Sequence, residues 1–556
     1  MTRQLAGIRR GLALSALLAG ALLLPAAVGS AKTAPKPENP TALPVPAIPG
    51  VPALPGAEAP SATLSSSVKA LNVTPLEGVT GTPVTISGSG LPANKPVTVT
   101  WSTTKVTWEV DPRVDSVDYL GTAPAQALTV VLATATTDAS GSFNVSVKAP
   151  DDFGGLHEVY AVVEGVKLAL GGFTIDRSAT ISPKKGPIGT PITITYHGLG
   201  ASLFEGGAAL NYDNHFTGAV TAYWTRGTAE MKIRASGAVG KHTIEIADAI
   251  TFTYLNVQQS PIPWATGKVL AFTVTKDKGR PKPEIEWPAN VAPTVSARTT
   301  LQTTAVVASG ATAALAPTSG PVASSVEVSA SGLANVPANV VWVTVIGSRV
   351  NCPKSTCWNF VSMPLLNGEA VMPSGGSLKT KITVPEGLGG WHALQVTQGG
   401  QVKAQVPFYV KRSVVGNGVS SLVLKEGQPF TVHLKGLGWT QLDNTIAVDY
   451  DNSYIGYGCG FNSNGDTVMN LVATGGPGTH LIDMYPLLYN SQPAYANTPY
   501  GVVPMLTFAR DLPGLALGYQ LPAIRLAITV VKGPRHAAGK GSGAHASPRS
   551  RSHSRS

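Results

Sequence analysis

The sequence predicts an all-β protein, on three observations. Apolar and polar residues alternate with a period of two, as in Val97-Thr-Val-Thr-Trp101 and Thr190-Pro-Ile-Thr-Ile-Thr195, and this alternation is typical of half-buried strands. The 60 Gly and 44 Pro residues interrupt these segments at short intervals, which favours tight turns. Only 13% of the residues are charged, and no segment of comparable length has a helical period. We therefore expect short antiparallel strands packed as sandwiches.

An internal repeat predicts the size of the folding unit. The segment Pro75-Leu-Glu-Gly-Val-Thr-Gly-Thr-Pro83 reappears 108 residues later as Pro183-Lys-Lys-Gly-Pro-Ile-Gly-Thr-Pro191. A unit of about 110 residues has the size of an immunoglobulin-like β-sandwich. The first half of the chain therefore contains two such units.

The whole half then recurs at an offset of 238 residues, which carries Tyr212-Asp-Asn214 to Tyr450-Asp-Asn452 and His242 to His480. We predict four immunoglobulin-like domains, arranged as a duplicated two-domain unit in the order A, B, A′, B′, and we expect an end-to-end rod. The boundaries are signal peptide 1–31, Pro-rich linker 32–65, domain A 66–176, domain B 177–276, linker 277–313, domain A′ 314–412, domain B′ 413–531 and basic disordered tail 532–556.

The openings of the repeats carry a family resemblance. Residues 75–87, 183–195 and 317–330 resemble the Pro-x-x-Gly-x-x-Gly start of the IPT/TIG immunoglobulin-like family. The third copy departs from this pattern because Ala323 replaces the second Gly, and the fourth begins at Leu424 without the leading Pro. The resemblance covers only the first two strands of each domain. It implies a spacer or interaction module of exported bacterial-type surface proteins, with no catalytic residues.

The two ends of the chain predict export. Arg3, Arg9 and Arg10 precede an apolar run and then small residues, which is the pattern of a secretory signal peptide, with a retained membrane anchor as the alternative. The formal net charge of +10 is concentrated in these three arginines and in the six cations of the tail, so residues 11–531 carry only +1. The folded part therefore shows no polyanion-binding charge, and no specific nucleic-acid partner is expected. The tail is either an attachment to acidic polymers or a solubilising extension.

The three cysteines do not form a disulfide scaffold. Cys352 and Cys357 are close enough in sequence for one disulfide, which leaves Cys459 unpaired. Four residues separate the first two thiols and no second pair accompanies them, which argues against zinc.

No catalytic motif stands out, so we expect a protein that is not an enzyme and has no cofactor, with one metal hypothesis. Calcium prefers carboxylate and amide oxygens. Asp443, Asp449, Asp451 and Asn452 supply such oxygens within a short segment of domain B′. The alternative is that the Tyr-Asp-Asn motif is a turn, because Asp and Asn tolerate left-handed backbone angles.

Aromatic residues predict a ligand-binding surface in domain B′. Tyr485, Tyr489, Tyr495 and Tyr500 belong to a polar-aromatic segment that is long for a sandwich loop. The corresponding segment of domain B, from Ala249 to Trp264, is a second candidate. We expect a secreted, cell-surface structural or binding protein. The alternatives are a carbohydrate- or cell-wall-polymer-binding protein and a self-assembling surface-layer or filament subunit, so the expected partners are a wall polymer, a polysaccharide, a protein or a second copy of the chain.

Overall fold

The structure is a computed structural model of the whole chain. It describes residues 54–532, except 107, 113–116, 123–125, 203–204, 250–251, 260–266, 289–307, 309, 348–357, 365–369, 417–418, 420–421, 439–442, 461–462, 489–502 and 518. All of these described residues belong to one compact unit that spans residues 42–556. The signal-peptide and tail predictions lie outside them. No helix in this part of the chain is long and apolar enough to cross a membrane.

The described chain is all-β, as predicted, and it forms four pairs of sheets. We name the four consecutive regions A, B, A′ and B′ after the repeats. Short 3₁₀ turns lie at Val257–Gln259 and Pro513–Leu517. The division into four domains stays a prediction, and the regions below are defined by their strands.

Region A contains a sheet in the order β2-β4-β9 and a second sheet in the order β1-β11-β10-β5-β8, with β3 on β11. A separate hairpin, β6-β7, is inserted between β5 and β8. The strands are β1 (Thr63–Ala70), β2 (Asn72–Thr74), β3 (Glu77–Gly78), β4 (Pro83–Gly88), β5 (Pro96–Lys105), β6 (Trp108–Pro112), β7 (Val117–Thr122), β8 (Gln126–Thr136), β9 (Phe143–Lys148), β10 (Gly155–Val163) and β11 (Val166–Ile175).

Region B gives the plainest form of the topology. Its sheets are ordered β12-β14-β17 and β13-β19-β18-β15-β16. The strands are β12 (Ser178–Ser182), β13 (Lys185–Gly186), β14 (Pro191–His197), β15 (Gly207–Tyr212), β16 (His215–Thr221), β17 (Ala229–Arg234), β18 (Gly240–Asp248) and β19 (Lys268–Val274). The first sheet corresponds to immunoglobulin strands A, B and E and the second to G, F, C and C′, so this region is an immunoglobulin-like sandwich.

Region A′ repeats this order in sheets β21-β23-β26 and β22-β28-β27-β24-β25. The linker before it contains β20 (Glu284–Glu286). The strands of A′ are β21 (Thr312–Ala316), β22 (Ser319–Pro321), β23 (Ser325–Ser331), β24 (Asn339–Gly347), β25 (Trp358–Pro364), β26 (Leu378–Thr383), β27 (Gly390–Gln398) and β28 (Gln401–Lys411).

Region B′ has sheets β29-β31-β34 and β20-β37-β35-β32-β33, with β30 on β37 and β36 on β35. The strands are β29 (Ser413–Val414), β30 (Val423–Lys425), β31 (Pro429–Lys435), β32 (Thr445–Tyr450), β33 (Ser453–Cys459), β34 (Thr467–Val472), β35 (Gly478–Leu488), β36 (Val503–Pro504) and β37 (Ala523–Val531). The linker strand β20 thus joins a sheet of B′, so residues 284–286 are not a free spacer.

The repeats share a core motif as well as a topology. Trp101 and Trp342 lie at equivalent buried positions of β5 and β24. Trp101 stacks on His157 at a centroid distance of 4.3 Å, and Trp342 stacks on His392 at 5.0 Å. These two histidines are therefore part of the sandwich cores.

The end-to-end arrangement that we expected from the repeat is wrong at one point: B contacts B′. In a rod in chain order, A′ would separate the two. Instead, buried side chains of both regions belong to one apolar cluster, which includes Leu210 and Val220 of B and Leu506 and Phe508 of B′. The backbone of Leu506 also donates a hydrogen bond to the carbonyl of Ala219 at 3.0 Å. The duplicated halves are therefore packed against each other through B and B′.

Candidate functional site

The Tyr-Asp-Asn motifs are hairpin turns. Asp213 and Asn214 have φ angles of 49° and 64°, and Asp451 and Asn452 have 50° and 63°. Each pair links two antiparallel strands with a two-residue loop, and positive φ at both loop positions defines a type I′ turn, which favours Asn and Asp. The turn alternative therefore describes both motifs.

The four residues of the calcium hypothesis have separate roles. The Asp451 carboxylate accepts hydrogen bonds from Nδ1 of His480 at 2.5 Å and from the backbone of Leu481 at 2.8 Å. The Asn452 side-chain amide donates hydrogen bonds to region B. Asp443 precedes β32 and Asp449 lies near its far end, about 20 Å away at the usual rise per strand residue. In the described ranges, no group of three or more His, Cys, Asp and Glu side chains has the geometry to hold a metal ion.

A buried charge cluster joins B to B′. Arg234 of B is 4% exposed and Asp483 of B′ is 2% exposed. Nε of Arg234 donates to Oδ2 of Asp483 at 3.1 Å, and its Nη2 lies 2.5 Å from Oδ1 and donates to the carbonyl of Leu526 at 2.6 Å. Because both charges are withdrawn from water, their mutual contact is needed to offset the cost of desolvation.

Arg525 is the second cation of this cluster. Its guanidinium lies 3.3 Å from Asp483, donates to Glu286 at 2.8 Å and to the hydroxyl of Tyr485 at 2.7 Å. It also donates to the backbone carbonyl of Lys232 in region B at 2.9 Å. Burial tends to raise the pKa of Glu286, but the positive charges of Arg525 and Lys232 outweigh it and lower that pKa. The cluster therefore links the linker strand β20, region B and region B′.

Asp449 is the exception in the cluster, because neither of its carboxylate oxygens has a hydrogen-bond partner although the residue is fully buried. It lies directly opposite Asp483 in the pairing of β32 with β35. Burial, and secondarily the negative charge of Asp483, raise the pKa of Asp449 well above its usual value, and Arg525 only partly counteracts this. Asp449 is therefore protonated over a wider pH range than an exposed aspartate.

The hairpin of B′ adds polar contacts to the same interface. The Asn452 side-chain amide donates to the carbonyl of Arg234 and to the hydroxyl of Ser236, both at 2.7 Å, and the Asn452 carbonyl accepts from Thr217 at 2.6 Å. Asn214, which occupies the equivalent position in B, is exposed. The two copies of the motif therefore share a turn but differ in their surroundings.

Residues 503–521 of B′ reach into the first half of the chain, and we call them the clasp. Asp511 of the clasp is 1% exposed. Its carboxylate accepts from Nε1 of Trp108 in region A at 2.8 Å and from the backbones of Tyr223 and Trp224 in region B at 2.9 and 3.1 Å. Burial raises the pKa of Asp511, and these hydrogen bonds partly offset that effect. The clasp thus connects B′ with both A and B.

The outer face of region B is the surface of its five-stranded sheet that points away from its own core, and part of it is open to solvent. Glu245 is half-buried, whereas Val269, Phe252 and Tyr254 are 70%, 50% and 43% exposed. The ring centroids of Phe216 and Phe252 are 4.7 Å apart. These residues form an apolar and polar surface that the described chain does not cover.

A polar strip runs beside these rings. The Asn211 amide donates to the hydroxyl of Thr253 at 2.6 Å and to the carboxylate of Glu245 at 3.4 Å. The ring of Tyr454 of B′ lies edge-on to the ring of Phe216, with 6.3 Å between the ring centroids. The outer face of region B is therefore continuous with the B–B′ interface, and we regard it as the candidate binding site.

The predicted tyrosine surface of B′ is different. Tyr485 is fully buried and its hydroxyl is bonded to Arg525, so it belongs to the interface core and not to an exposed ligand surface. Tyr489, Tyr495 and Tyr500 lie outside the described residues, as does the predicted disulfide between Cys352 and Cys357. Cys459 ends β33 and is exposed.

Part of the candidate site was predicted from the sequence, but its polar residues Asn211 and Glu245 were not. The segment from Ala249 to Trp264 was the second candidate, and its described residues Phe252 and Tyr254 are exposed. Asn211 and Glu245 were not proposed as ligand residues. The offset of 238 pairs them with Asp449 and Asp483, and this comparison of equivalent positions was the available signal.

Comparison with known proteins gives no family. No family model matches the sequence, and no curated protein matches it. Among solved structures, an ICAM-5 D1–D4 ectodomain fragment aligns over 83% of this chain and 99% of its own, with 10% identity and a TM-score of 0.16. Latent PorU from Porphyromonas gingivalis aligns over 64% of this chain and 32% of its own, with 13% identity and a TM-score of 0.15. The Escherichia coli alpha-2-macroglobulin aligns over 83% and 43%, with 9% identity and a TM-score of 0.13. Similarity at these TM-scores supports no functional conclusion, and the assignment of the fold rests on strand order.

Proposed function

We propose that this chain is an exported, non-catalytic surface protein that uses the outer face of region B for binding. The signal-peptide pattern at residues 1–31 supports export, and the tandem sandwiches support a structural or display role. The IPT/TIG-like openings of the repeats agree with a module of this kind. The basic tail provides a second, electrostatic attachment to the cell surface.

This proposal rests on a difference between the outer sheet faces of regions B and B′, which occupy equivalent positions in the repeat. In B′, the outer sheet face is closed, because Asp483 receives Arg234 from region B. In B, the equivalent position is Glu245, whose carboxylate accepts a hydrogen bond from the neutral amide of Asn211 and takes part in no arginine ion pair within the described ranges. One copy therefore holds the two halves together, and the other is available to an external partner.

The connection between the last two strands of each region supports the same division of roles. In B′, this connection contains the clasp, whose described side chains are mostly buried. In B, the connection exposes Phe252, Tyr254 and Leu255, the last of them at 89%. Exposed aromatic residues on a rigid scaffold are frequent anchors for ligands and partners.

A sedimentation assay tests this function. The labelled full chain is mixed with the cell-envelope fraction of the organism that produces it, and the bound fraction is measured after centrifugation. We expect the double variant Phe252→Ser with Tyr254→Ser to bind about tenfold more weakly, since loss of an anchor costs about 1–2 kcal/mol. Val239→Ser changes an apolar residue that is 66% exposed at the other end of region B and serves as the control. Equal binding by all three proteins would contradict the proposal.

The main competing function is self-assembly into a surface layer or filament. Light scattering of the full chain over a range of concentrations distinguishes it. Concentration-dependent assemblies that the double variant abolishes would assign the outer face of region B to contacts between copies instead of to the envelope.

A further inference from the structure

The chemistry of the outer face of region B indicates what it binds. Region B′ provides a comparison, because Arg234 of region B occupies its equivalent face. There, Asp449 and Asp483 lie opposite each other, and Arg525 lies opposite Asp483 on the neighbouring strand. The guanidinium of Arg234 occupies that face through the carboxylate of Asp483 and the carbonyl of Leu526.

Region B differs at each of these positions. Asn211 replaces the first carboxyl group, Glu245 replaces the second, and Val269 lies opposite Glu245 where B′ has Arg525. The amide of Asn211 donates toward Glu245, so the acid is partly satisfied within the face. The face therefore offers one hydrogen-bonded carboxylate among neutral groups, and it lacks the second carboxyl group and the arginine that accompany Asp483 in B′.

The apolar part of the face is a set of rings at close range. Phe216 and Phe252 are inclined at 49°, and the ring of Tyr454 is nearly perpendicular to that of Phe216, at 78°. Phe216 is held on β16 and packs against the core cluster, so it is a fixed element of this surface. Fixed rings provide contact area at a small cost in conformational entropy.

We propose that the outer face of region B binds an uncharged glycan chain. A sugar ring has an apolar C–H face, which suits the rings of Phe252 and Tyr254, and an edge of hydroxyl groups. Those hydroxyls donate to the Glu245 carboxylate, and hydrogen bonds to a charged acceptor are stronger than neutral ones. A polyanion would be repelled by Glu245 and finds no cation at Val269. This inference rests on the proposed function and specifies its ligand class.

The first experiment uses defined glycans. Affinity electrophoresis measures the retardation of the native full chain in gels that contain laminarin, galactomannan or hydroxyethyl cellulose. We expect retardation by at least one of these polysaccharides, a loss of about tenfold in apparent affinity for Phe252→Ala and for Glu245→Gln, and no change for Val239→Ser. Glu245→Gln preserves the shape of the side chain and removes its charge, so it tests the acceptor without disturbing the fold.

The second experiment separates failure of the ligand class from failure of the proposed function. The cell-envelope fraction is treated either with mild periodate, which cleaves vicinal diols of sugars, or with protease, and binding of the full chain is measured again. Binding that survives protease, is lost after periodate and requires Phe252 supports the glycan. Binding that requires Phe252 but is lost after protease and survives periodate overturns the glycan and leaves the proposed function standing. Binding that is indifferent to Phe252 overturns both.

Discussion

Replacement of Arg234 by methionine tests the buried link between the repeats. The variant keeps an apolar stem of similar length and removes the guanidinium that contacts Asp483 and the carbonyl of Leu526. Among the described residues, Asp483 then keeps Arg525 as its one cationic partner while it remains 2% exposed. Breaking a buried ion pair from one side costs about 3–5 kcal/mol, because it leaves a charge without full compensation.

Hydrogen–deuterium exchange is the suitable assay, because a chain with several packed regions does not unfold in one step. Peptides that cover β17, β35 and β37 report the opening of the interface. A loss of 3–5 kcal/mol reduces their protection by a factor of about 10²–10⁴. Lys95→Ala is the control, since the Lys95–Glu164 pair is exposed at 45% and 66%, and we expect no measurable change from it. A loss of protection below tenfold in Arg234→Met would refute the assignment of this ion pair as an interface link.

Three further predictions concern the same interface. Asn452→Gly keeps the type I′ turn but removes two buried hydrogen bonds, so we expect hydrogen exchange to show a loss of about 2 kcal/mol in the free energy of opening the interface. Asn214→Gly at the exposed equivalent should change it by less than about 0.5 kcal/mol. Asp449→Asn removes a carboxyl whose pKa is raised in the fold; the unfolded chain loses this proton first, so the contribution of Asp449 to wild-type stability falls as pH rises above about 4. The gain from Asp449→Asn should therefore grow with pH and then level off, and a gain independent of pH would contradict this. Asp511→Ala leaves three buried donors without their acceptor, and we expect a loss of about 3 kcal/mol in the free energy of opening, measured by hydrogen exchange of the peptides that contain Trp108, Tyr223 and Trp224; unchanged protection of these peptides would exclude the clasp as a link.

Local patterns were sufficient to predict the fold. Alternation of apolar and polar residues indicated strands such as β5 and β14, and the gap-free offset of 238 residues placed equivalent hairpins at Asp213 and Asp451. The reason is physical, because a strand has a period of two and a type I′ turn requires residues that tolerate positive φ. The short linker strand β20 was not predicted, since three residues carry too little pattern.

The packing of B on B′ could not be predicted from such local patterns. Whether the outer face of a sheet meets solvent or another region depends on partners that are distant in the sequence, such as Arg234 for Asp483. The same limitation explains the calcium hypothesis, in which Asp449 was considered together with its sequence neighbours although its electrostatic partners are Asp483 and Arg525. Tyr485 was predicted to belong to a ligand-binding surface because it opens a long polar-aromatic segment, but it lies within β35 and its hydroxyl bonds to buried Arg525.

Two equivalent carboxylate positions differ in this protein, because that of region B is open to solvent and that of B′ is closed. Carbodiimide-promoted amidation of carboxyl groups, followed by peptide mass spectrometry, measures this difference in the native full chain. We expect that Glu245 is modified whereas Asp483 is protected, and that Asp483 becomes reactive in Arg234→Met. Equal modification of Glu245 and Asp483 in the native protein would contradict it.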